Sequence, residues 1–324
     1  MSTAPLPVFD HLLHLSDRRG TFEHARLAEP ERTGGYTTED MSRLLVVATR
    51  QPDPGGAVNG LAGLAVRFLN DAQSFAGTCR NRMDGKGNWL DQPTLEDWWG
   101  RCLWALGTAA AHSSVGLVRR VAVIQFERAA KVQSPYPRAM AYAALGAAEI
   151  LSVEPDHAIA RALLTAYADS VPESGNGADR PWPDPLLGDA NAVVAEAMIA
   201  AGAALERQEL CQQGLDLLTR LLDYEATGER KAFDRQPVEV AALSDACARA
   251  ADVDPSPKWP EGVRAAAAWF EGSNDAGTPM WDPATGGGFD GLAADGVNPN
   301  QGAAATLAVL SALQNAQRLT TVPE

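Results

Sequence analysis

Leu61-Ala62-Gly63-Leu64-Ala65-Val66-Arg67-Phe68 carries apolar residues at Leu61, Leu64, Ala65 and Phe68. That i, i+3, i+4, i+7 spacing marks a helix with one buried face. Leu210, Gly214, Leu217, Leu218 and Leu221 repeat it much later in the chain. No stretch sustains the alternation of a half-buried strand. Outward from these two segments, helical signals recur from about residue 38 to the end. They predict helices over roughly 38–50, 57–75, 94–112, 115–132, 136–151, 156–170, 188–203, 207–223, 236–250, 258–272 and 300–317, with a short one near 7–15.

The links between these segments alternate in length. Short ones join 50 to 57, 112 to 115, 151 to 156, 203 to 207 and 250 to 258, and a short link makes antiparallel neighbours. Longer ones cover 76–93, 171–187, 224–235 and 273–299. Helix hairpins stacked side by side and closed into a ring give this rhythm. The expected fold is therefore an all-α (α/α)6 toroid, with residues 1–324 as one domain and 1–35 wrapping the ring.

Composition agrees. Hydrophobic residues make up 46% of the 324 and aromatics only 6%. Apolar content is thus supplied largely by alanine, which favours helices and lets them approach closely. The formal net charge of −14 argues against nucleic acid or an anionic membrane as partner, since both require basic patches. Cys79, Cys102, Cys211 and Cys247 form no CxxC pair and do not cluster with the histidines, so they read as small core residues. No apolar run reaches membrane-spanning length and no basic-then-apolar leader opens the sequence. The expectation is a cytoplasmic protein.

Polar residues recur at the starts of alternate helices, whose N-termini would meet at one rim. Gly35-Tyr36-Thr37-Thr38-Glu39-Asp40 opens the first, and Thr94-Leu95-Glu96-Asp97-Trp98-Trp99 the third. Ser134-Pro135-Tyr136-Pro137-Arg138 opens the fifth, and Gly188-Asp189-Ala190-Asn191 the seventh. Phe233-Asp234-Arg235-Gln236-Pro237-Val238-Glu239 opens the ninth, and Asn298-Pro299-Asn300-Gln301 the last. Helix capping is the ordinary explanation for such residues, and Thr37 or Thr38 and Thr94 read as caps. Asp40, Asp97 and Glu239 lie inside the first turn, where capping explains them less well. The long links add Gly85-Lys86-Gly87-Asn88-Trp89, Arg180-Pro181-Trp182-Pro183-Asp184 and Gly286-Gly287-Gly288-Phe289-Asp290-Gly291.

Indoles offer an apolar face to a sugar ring, and Asp, Asn, Gln and Arg fork hydrogen bonds to its hydroxyls. Glycoside hydrolysis uses two carboxyl groups flanking the scissile bond and no cofactor. Asp40 and Glu239 are the expected catalytic pair, with Asp97 and Asp234 in reserve. Tyr36, Arg43, Trp98, Arg101, Trp182, Asp184, Gln236, Asn298 and Gln301 are the expected substrate binders. Other chemistries find no support: there is no GxGxxG, no P-loop and no GxSxG elbow. His11 and His14 stand in HxxH spacing without further ligands, so no metal is expected.

Several of these stretches together carry a resemblance: His11-Leu12-Leu13-His14-Leu15-Ser16-Asp17; Gly35-Tyr36 with Glu39-Asp40-Met41-Ser42-Arg43; and Glu96-Asp97 with Gly100-Arg101-Cys102-Leu103-Trp104-Ala105-Leu106-Gly107. Phe233 to Glu239 with Asp245-Ala246-Cys247, and Asn298-Pro299-Asn300-Gln301-Gly302-Ala303, complete it. From about residue 8 to 317 the chain resembles a family of bacterial (α/α) toroid domains found alone or attached to, and named alongside, glycosyltransferases. The resemblance implies a toroid acting on glycans near mannoside metabolism. The activity it implies is an endo-acting α-mannoside hydrolase working on an oligo- or polysaccharide, including intracellular and methylated mannans, with a functional link to a glycosyltransferase. Transferase activity itself would need a two-lobed α/β architecture that this chain lacks. Three places depart from the family pattern. Arg180-Pro181-Trp182-Pro183-Asp184 stands for Trp-Pro-Trp-Phe-Glu, Asp189-Ala190-Asn191-Ala192-Val193 for Tyr-Asp-Asn-Ala-Arg, and Ala304 for a Glu. Two other readings stay open. One is a non-catalytic glycan-binding or scaffold domain that partners a glycosyltransferase. The other is a lyase or epimerase, for which Tyr36 is the rim's candidate base.

Overall fold

The computed structural model describes residues 4–172, 191–227 and 235–320. A short helix α1 (Asp10–His14) precedes the hairpin β1 (Ala25–Arg26) and β2 (Glu29–Pro30), then β3 (Tyr36–Thr37). Helices α2 (Thr38–Arg50) and α3 (Gly56–Ala72) follow, then β4 (Arg82–Met83), α4 (Asp97–His112) and α5 (Gly116–Ala129). Next come α6 (Pro137–Val153), α7 (Ala158–Ser170), α8 (Asn191–Ala204), α9 (Gln208–Thr227), α10 (Pro237–Ala251) and α11 (Lys258–Phe270). The strands β5 (Gly291–Ala293) and β6 (Gly296–Asn298) lead into α12 (Ala303–Thr320).

The ring is closed. Helix α2 packs on α4, α4 on α6, α6 on α8, α8 on α10, α10 on α12, and α12 returns to α2. Helices α3, α5, α7, α9 and α11 each lie outside the inner helix they follow, and α1 touches α12. This is an (α/α)6 toroid. Burial explains which helices are inner. Every residue of α6 from Ala139 to Leu151 is buried, as is every residue from Ala192 to Ala201 in α8. A helix apolar all round belongs in the interior, whereas a one-sided stripe suits an outer layer. The Leu61–Phe68 stripe lies on the outer helix α3.

Small residues set the tightest contact. A Cβ at Gly107 on α4 would lie 2.1 Å from the Gly146 carbonyl oxygen on α6. A Cβ at Gly146 would lie 2.1 Å from the Leu103 oxygen. The two helices therefore meet backbone to backbone, and only glycine fits.

Among the described residues, three two-stranded ribbons, two or three residues per strand, decorate the loops. They are too short to produce an alternating pattern. The β3–β4 pair ties the loop before α4 to the start of α2 through Tyr36 and Met83. A bridge between Arg235 and Leu292 ties the loop before α12 to the start of α10. The N-terminal segment crosses both ends of α12: His11 Nε2 meets the Gln301 carbonyl at 2.8 Å, and Gln317 donates to the Pro5 carbonyl at 3.3 Å. Thr37 caps α2, accepting from the Asp40 amide at 3.1 Å. Thr94 caps nothing, because α4 begins at Asp97; its backbone pairs with Cys79 instead. Pro137 and Pro237 stand at the helix starts that tolerate them. No described helix is long and apolar enough to cross a membrane.

Candidate active site

The N-termini of the inner helices share one rim, and a funnel opens there. Its outer chamber, about 620 Å³, is lined by Thr37, Asp40 and Arg43 from α2, Gln236 and Val238 at α10, and Asp290 and Asn298 from the long loop. His24 and Glu23 complete one side. Glu39, Arg43 and Val238 also line a narrower axial cavity of about 230 Å³ beneath it. All six inner helices contribute to that cavity, with Asp97, Arg101, Arg138, Tyr142, Glu196 and Asp245 as its polar wall.

Two carboxyls in the outer chamber have contrasting surroundings. Asp40 is buried, and both its oxygens are engaged: Thr37 Oγ1 donates to Oδ2 at 2.8 Å and Arg43 Nη1 to Oδ1 at 3.0 Å. Among the described residues no cation is bonded to Asp290; its Oδ1 accepts from the Gly302 amide at 2.8 Å. Burial pushes the Asp290 carboxyl above its ordinary value, Gly302 and His24 oppose the rise, and Asp40 adds to it. One carboxylate held by a guanidinium and one carboxyl biased toward its proton is the asymmetry acid–base chemistry uses.

Below them, Asp97 pairs with Arg138. The Arg101 guanidinium lies over the Tyr142 ring, 4.2 Å from its centroid. Burial pushes Arg101 down and Tyr142 up.

The structure distributes the expected site residues unevenly. Asp40, Arg43, Gln236 and Asn298 meet at the outer chamber; Asp97 and Arg101 lie deeper. Glu239 lines neither. It stands one step round α10 from the axial line Val238, Ala241, Asp245. Tyr36 is enclosed in the core, where its hydroxyl donates to Asp17 Oδ2 at 2.9 Å, so it offers no surface to a ligand. Trp98 packs against the core, and its Nε1 donates to the Cys79 carbonyl at 2.9 Å. Gln301 is buried against Gly287. Asp234, Trp182 and Asp184 lie outside the described residues. No group of three or more metal-ligating side chains occurs among the described residues. His24, Tyr142 and Glu196 were given no place at the rim by the sequence reading, Glu39 and Arg138 were seen only as parts of helix starts, and Asp290 only as part of a glycine-rich loop. An isolated acid in an otherwise apolar run, Ala192-Val193-Val194-Ala195-Glu196-Ala197, was the available signal for Glu196.

No family model matches the chain, and no curated protein does. Solved structures match over nearly its whole length. A sugar epimerase from a ruminal bacterium aligns with TM-score 0.67 at 13% identity, covering 98% of this chain and 96% of that one. A D-mannose isomerase aligns with TM-score 0.64 at 12% identity, over 97% and 95%. Endoglucanase CelQ from Clostridium thermocellum, solved with cellotriose, aligns with TM-score 0.61 at 12% identity, over 98% and 67%. At such low identity the likeness establishes the fold: this chain has the (α/α)6 toroid architecture of those sugar enzymes.

Proposed function

We propose that this chain is a carbohydrate-active enzyme, and specifically a glycoside hydrolase with its site in the rim funnel. The observation that carries the reading is the pair Asp40 and Asp290, which line one chamber in opposite electrostatic settings. Asp290, biased toward its protonated form, delivers a proton to the glycosidic oxygen as the bond to the anomeric carbon breaks. The ion-paired Asp40 carboxylate activates water or attacks that carbon. Thr37 and Arg43 fix Asp40 in place, and Gln236 and Asn298 offer hydrogen bonds to ring hydroxyls. Glu239 remains the second candidate partner for Asp40. Sugar-enzyme neighbours on the same scaffold support the substrate class. The resemblance to glycosyltransferase-associated toroids points to α-mannosides, cleaved within an oligo- or polysaccharide, with methylated mannans included.

A sugar epimerase or isomerase is the second reading. Epimerases and an isomerase stand among the structural neighbours, and His24 lines the same chamber as Asp290. One experiment separates the readings. The protein is incubated with α-mannans, α-glucans, methylated mannosides and free disaccharides in deuterium oxide, and the products are weighed by mass spectrometry. Hydrolysis yields shorter saccharides. Epimerisation or isomerisation yields products of unchanged length carrying carbon-bound deuterium. Binding without either change supports the scaffold domain.

A further inference from the structure

The axial cavity beneath the rim chamber measures about 230 Å³, the room of roughly eight waters at ~30 Å³ each, enough for one sugar ring and not for two. Glu39 and Arg43 line both spaces, so the cavity opens to the rim. Its floor is Glu196 and Asp245. Asp245 Oδ1 accepts from Arg50 Nη1 at 3.0 Å, Ser311 at 2.9 Å and Asn315 at 2.8 Å, a layer that closes the axis. Val46, Val47, Val193 and Leu307 supply an apolar wall.

Most charges around this cavity are matched. Arg43 bonds Asp40, Arg138 bonds Asp97, Asp245 bonds Arg50, and Glu196 pairs with Arg249. Arg101 and Glu39 are left over: among the described residues neither has a hydrogen bond or an ion pair. Arg101 Nε is enclosed without an acceptor, so the terminal nitrogens are the part of the guanidinium that reaches the cavity. Tyr142, under that guanidinium, is 6% exposed, and its hydroxyl has no hydrogen-bond partner among the described residues. The cavity thus presents donors at Arg101 and Tyr142 that lack an acceptor, and an acceptor at Glu39 that lacks a donor. A desolvated guanidinium without a counter-ion is costly. A hydroxyl offsets little of that cost, whereas a carboxylate matches the guanidinium with two parallel hydrogen bonds.

We propose that the axial cavity binds a hexuronic acid unit at the end of a glycan, with its carboxylate on Arg101 and the Tyr142 hydroxyl and a ring hydroxyl donating to Glu39. A hexuronic acid carries an acceptor-only carboxylate and hydroxyl donors on one ring, which answers both leftover groups at once. The closed floor leaves the rim as the entrance, so the unit arrives as a chain end. Arg43 and Arg138 keep their own carboxylates, and Arg101 alone gains a counter-ion. This deepens the reading of the funnel as a sugar site and rests on it, but not on hydrolysis: the acidic ring binds whether or not the rim carboxyls cleave the chain.

The test is titration calorimetry of the full chain at pH 7 with D-mannuronate and D-mannose, which differ only in a carboxylate for a hydroxymethyl group. The expected result is at least ~10-fold tighter binding of the uronate, the margin of a charge-assisted over a neutral hydrogen bond. Arg101→Gln should abolish that preference, and Tyr142→Phe should weaken the uronate by about threefold or more. Melting curves separate this role from a structural one. Arg101→Gln strands no carboxylate and should melt no lower than wild type, and mannuronate should raise the melting temperature of wild type but not of the variant. Equal affinity for the two sugars, no binding of mannuronate at tens of millimolar, or a preference that survives Arg101→Gln would overturn the proposal. Cleavage assays read the hydrolase reading separately. A protein that cleaves nothing yet prefers the uronate through Arg101 upholds the cavity assignment, and one that cleaves glycans without that preference overturns the assignment alone.

Discussion

Glu196→Gln should stabilise the protein, and increasingly so as pH rises. The carboxyl is buried in α8 and its value climbs from 4.5 to about 7, first through desolvation and then through Asp245. The sign follows from linkage. Between about 4.5 and 7 the folded state keeps a proton that the unfolded chain releases, so stability falls with rising pH across that window. Each tenfold gain in proton affinity on folding is worth ~1.4 kcal/mol, so the native state at pH 8 carries a penalty on the order of 3 kcal/mol from this one group. Glutamine keeps the shape and removes the titration. Arg249 is not stranded by the change, because it retains Glu149, so the large cost of an orphaned buried charge does not arise. For a chain of this length, 3 kcal/mol corresponds to roughly 4 °C in Tm. Melting curves for both proteins at half-unit steps from pH 4.5 to 8.5 should coincide at the acid end and diverge by that amount at the alkaline end. A constant offset, or a variant less stable at pH 8, would refute the burial argument. Glu149 works in the opposite direction. Arg249 and His112 hold it well below the usual carboxylate range against its burial, so its stabilisation is present at neutral pH and lost in strong acid.

The backbone contact between α4 and α6 predicts that Gly146→Ala costs at least about 2 kcal/mol in urea unfolding, since the added Cβ meets a carbonyl that cannot swing aside. Gly63→Ala on the outer helix α3 meets nothing within 4 Å and should be neutral or stabilising by about 0.5–1 kcal/mol. Equal effects in the two variants would contradict the inner–outer assignment. Tyr36→Phe removes a hydrogen bond to Asp17, which still accepts from the Arg19 amide at 2.8 Å. It should cost about 1 kcal/mol of stability and leave KM unchanged; a raised KM would return Tyr36 to the site. Because burial raises Asp290, turnover should fall as pH rises through that group's value, and Asp290→Asn should lose this alkaline limb along with most of the rate.

Much of the fold could be read from periodicity because helices announce themselves locally. The predicted segment 38–50 coincides with α2, and 258–272 runs two residues past α11. The inner and outer roles were less legible. Ala-rich α6 and α8 are buried on all sides, and a uniformly apolar stretch carries no stripe to show which side faces the axis. Helix starts point to one rim, and Asp40, Arg43, Gln236 and Asn298 line one chamber there. Direction within a helix start was harder. Glu239 and Val238 are neighbours in sequence, yet a step of about 100° round the helix separates the one lining the funnel from the one beside it. Tyr36 shows the same limit: the β3–β4 pairing that carries it inward depends on a loop some forty-five residues away. Asp290 was hidden for a different reason. Its environment is made by a backbone amide at Gly302 and by burial, neither of which residue type reveals.

In the proposed reaction Asp40 and Asp290 act together on a glycosidic bond in the rim funnel. The most direct measurement is single-turnover product analysis with wild type, Asp40→Asn, Asp290→Asn and Glu239→Gln on the α-mannan that wild type cleaves, with folding verified by melting. The account predicts shorter saccharides from wild type, losses of at least about a hundredfold in both aspartate variants, and a smaller loss in Glu239→Gln. Cleavage that survives both aspartate substitutions, or that vanishes with Glu239→Gln alone, would contradict it.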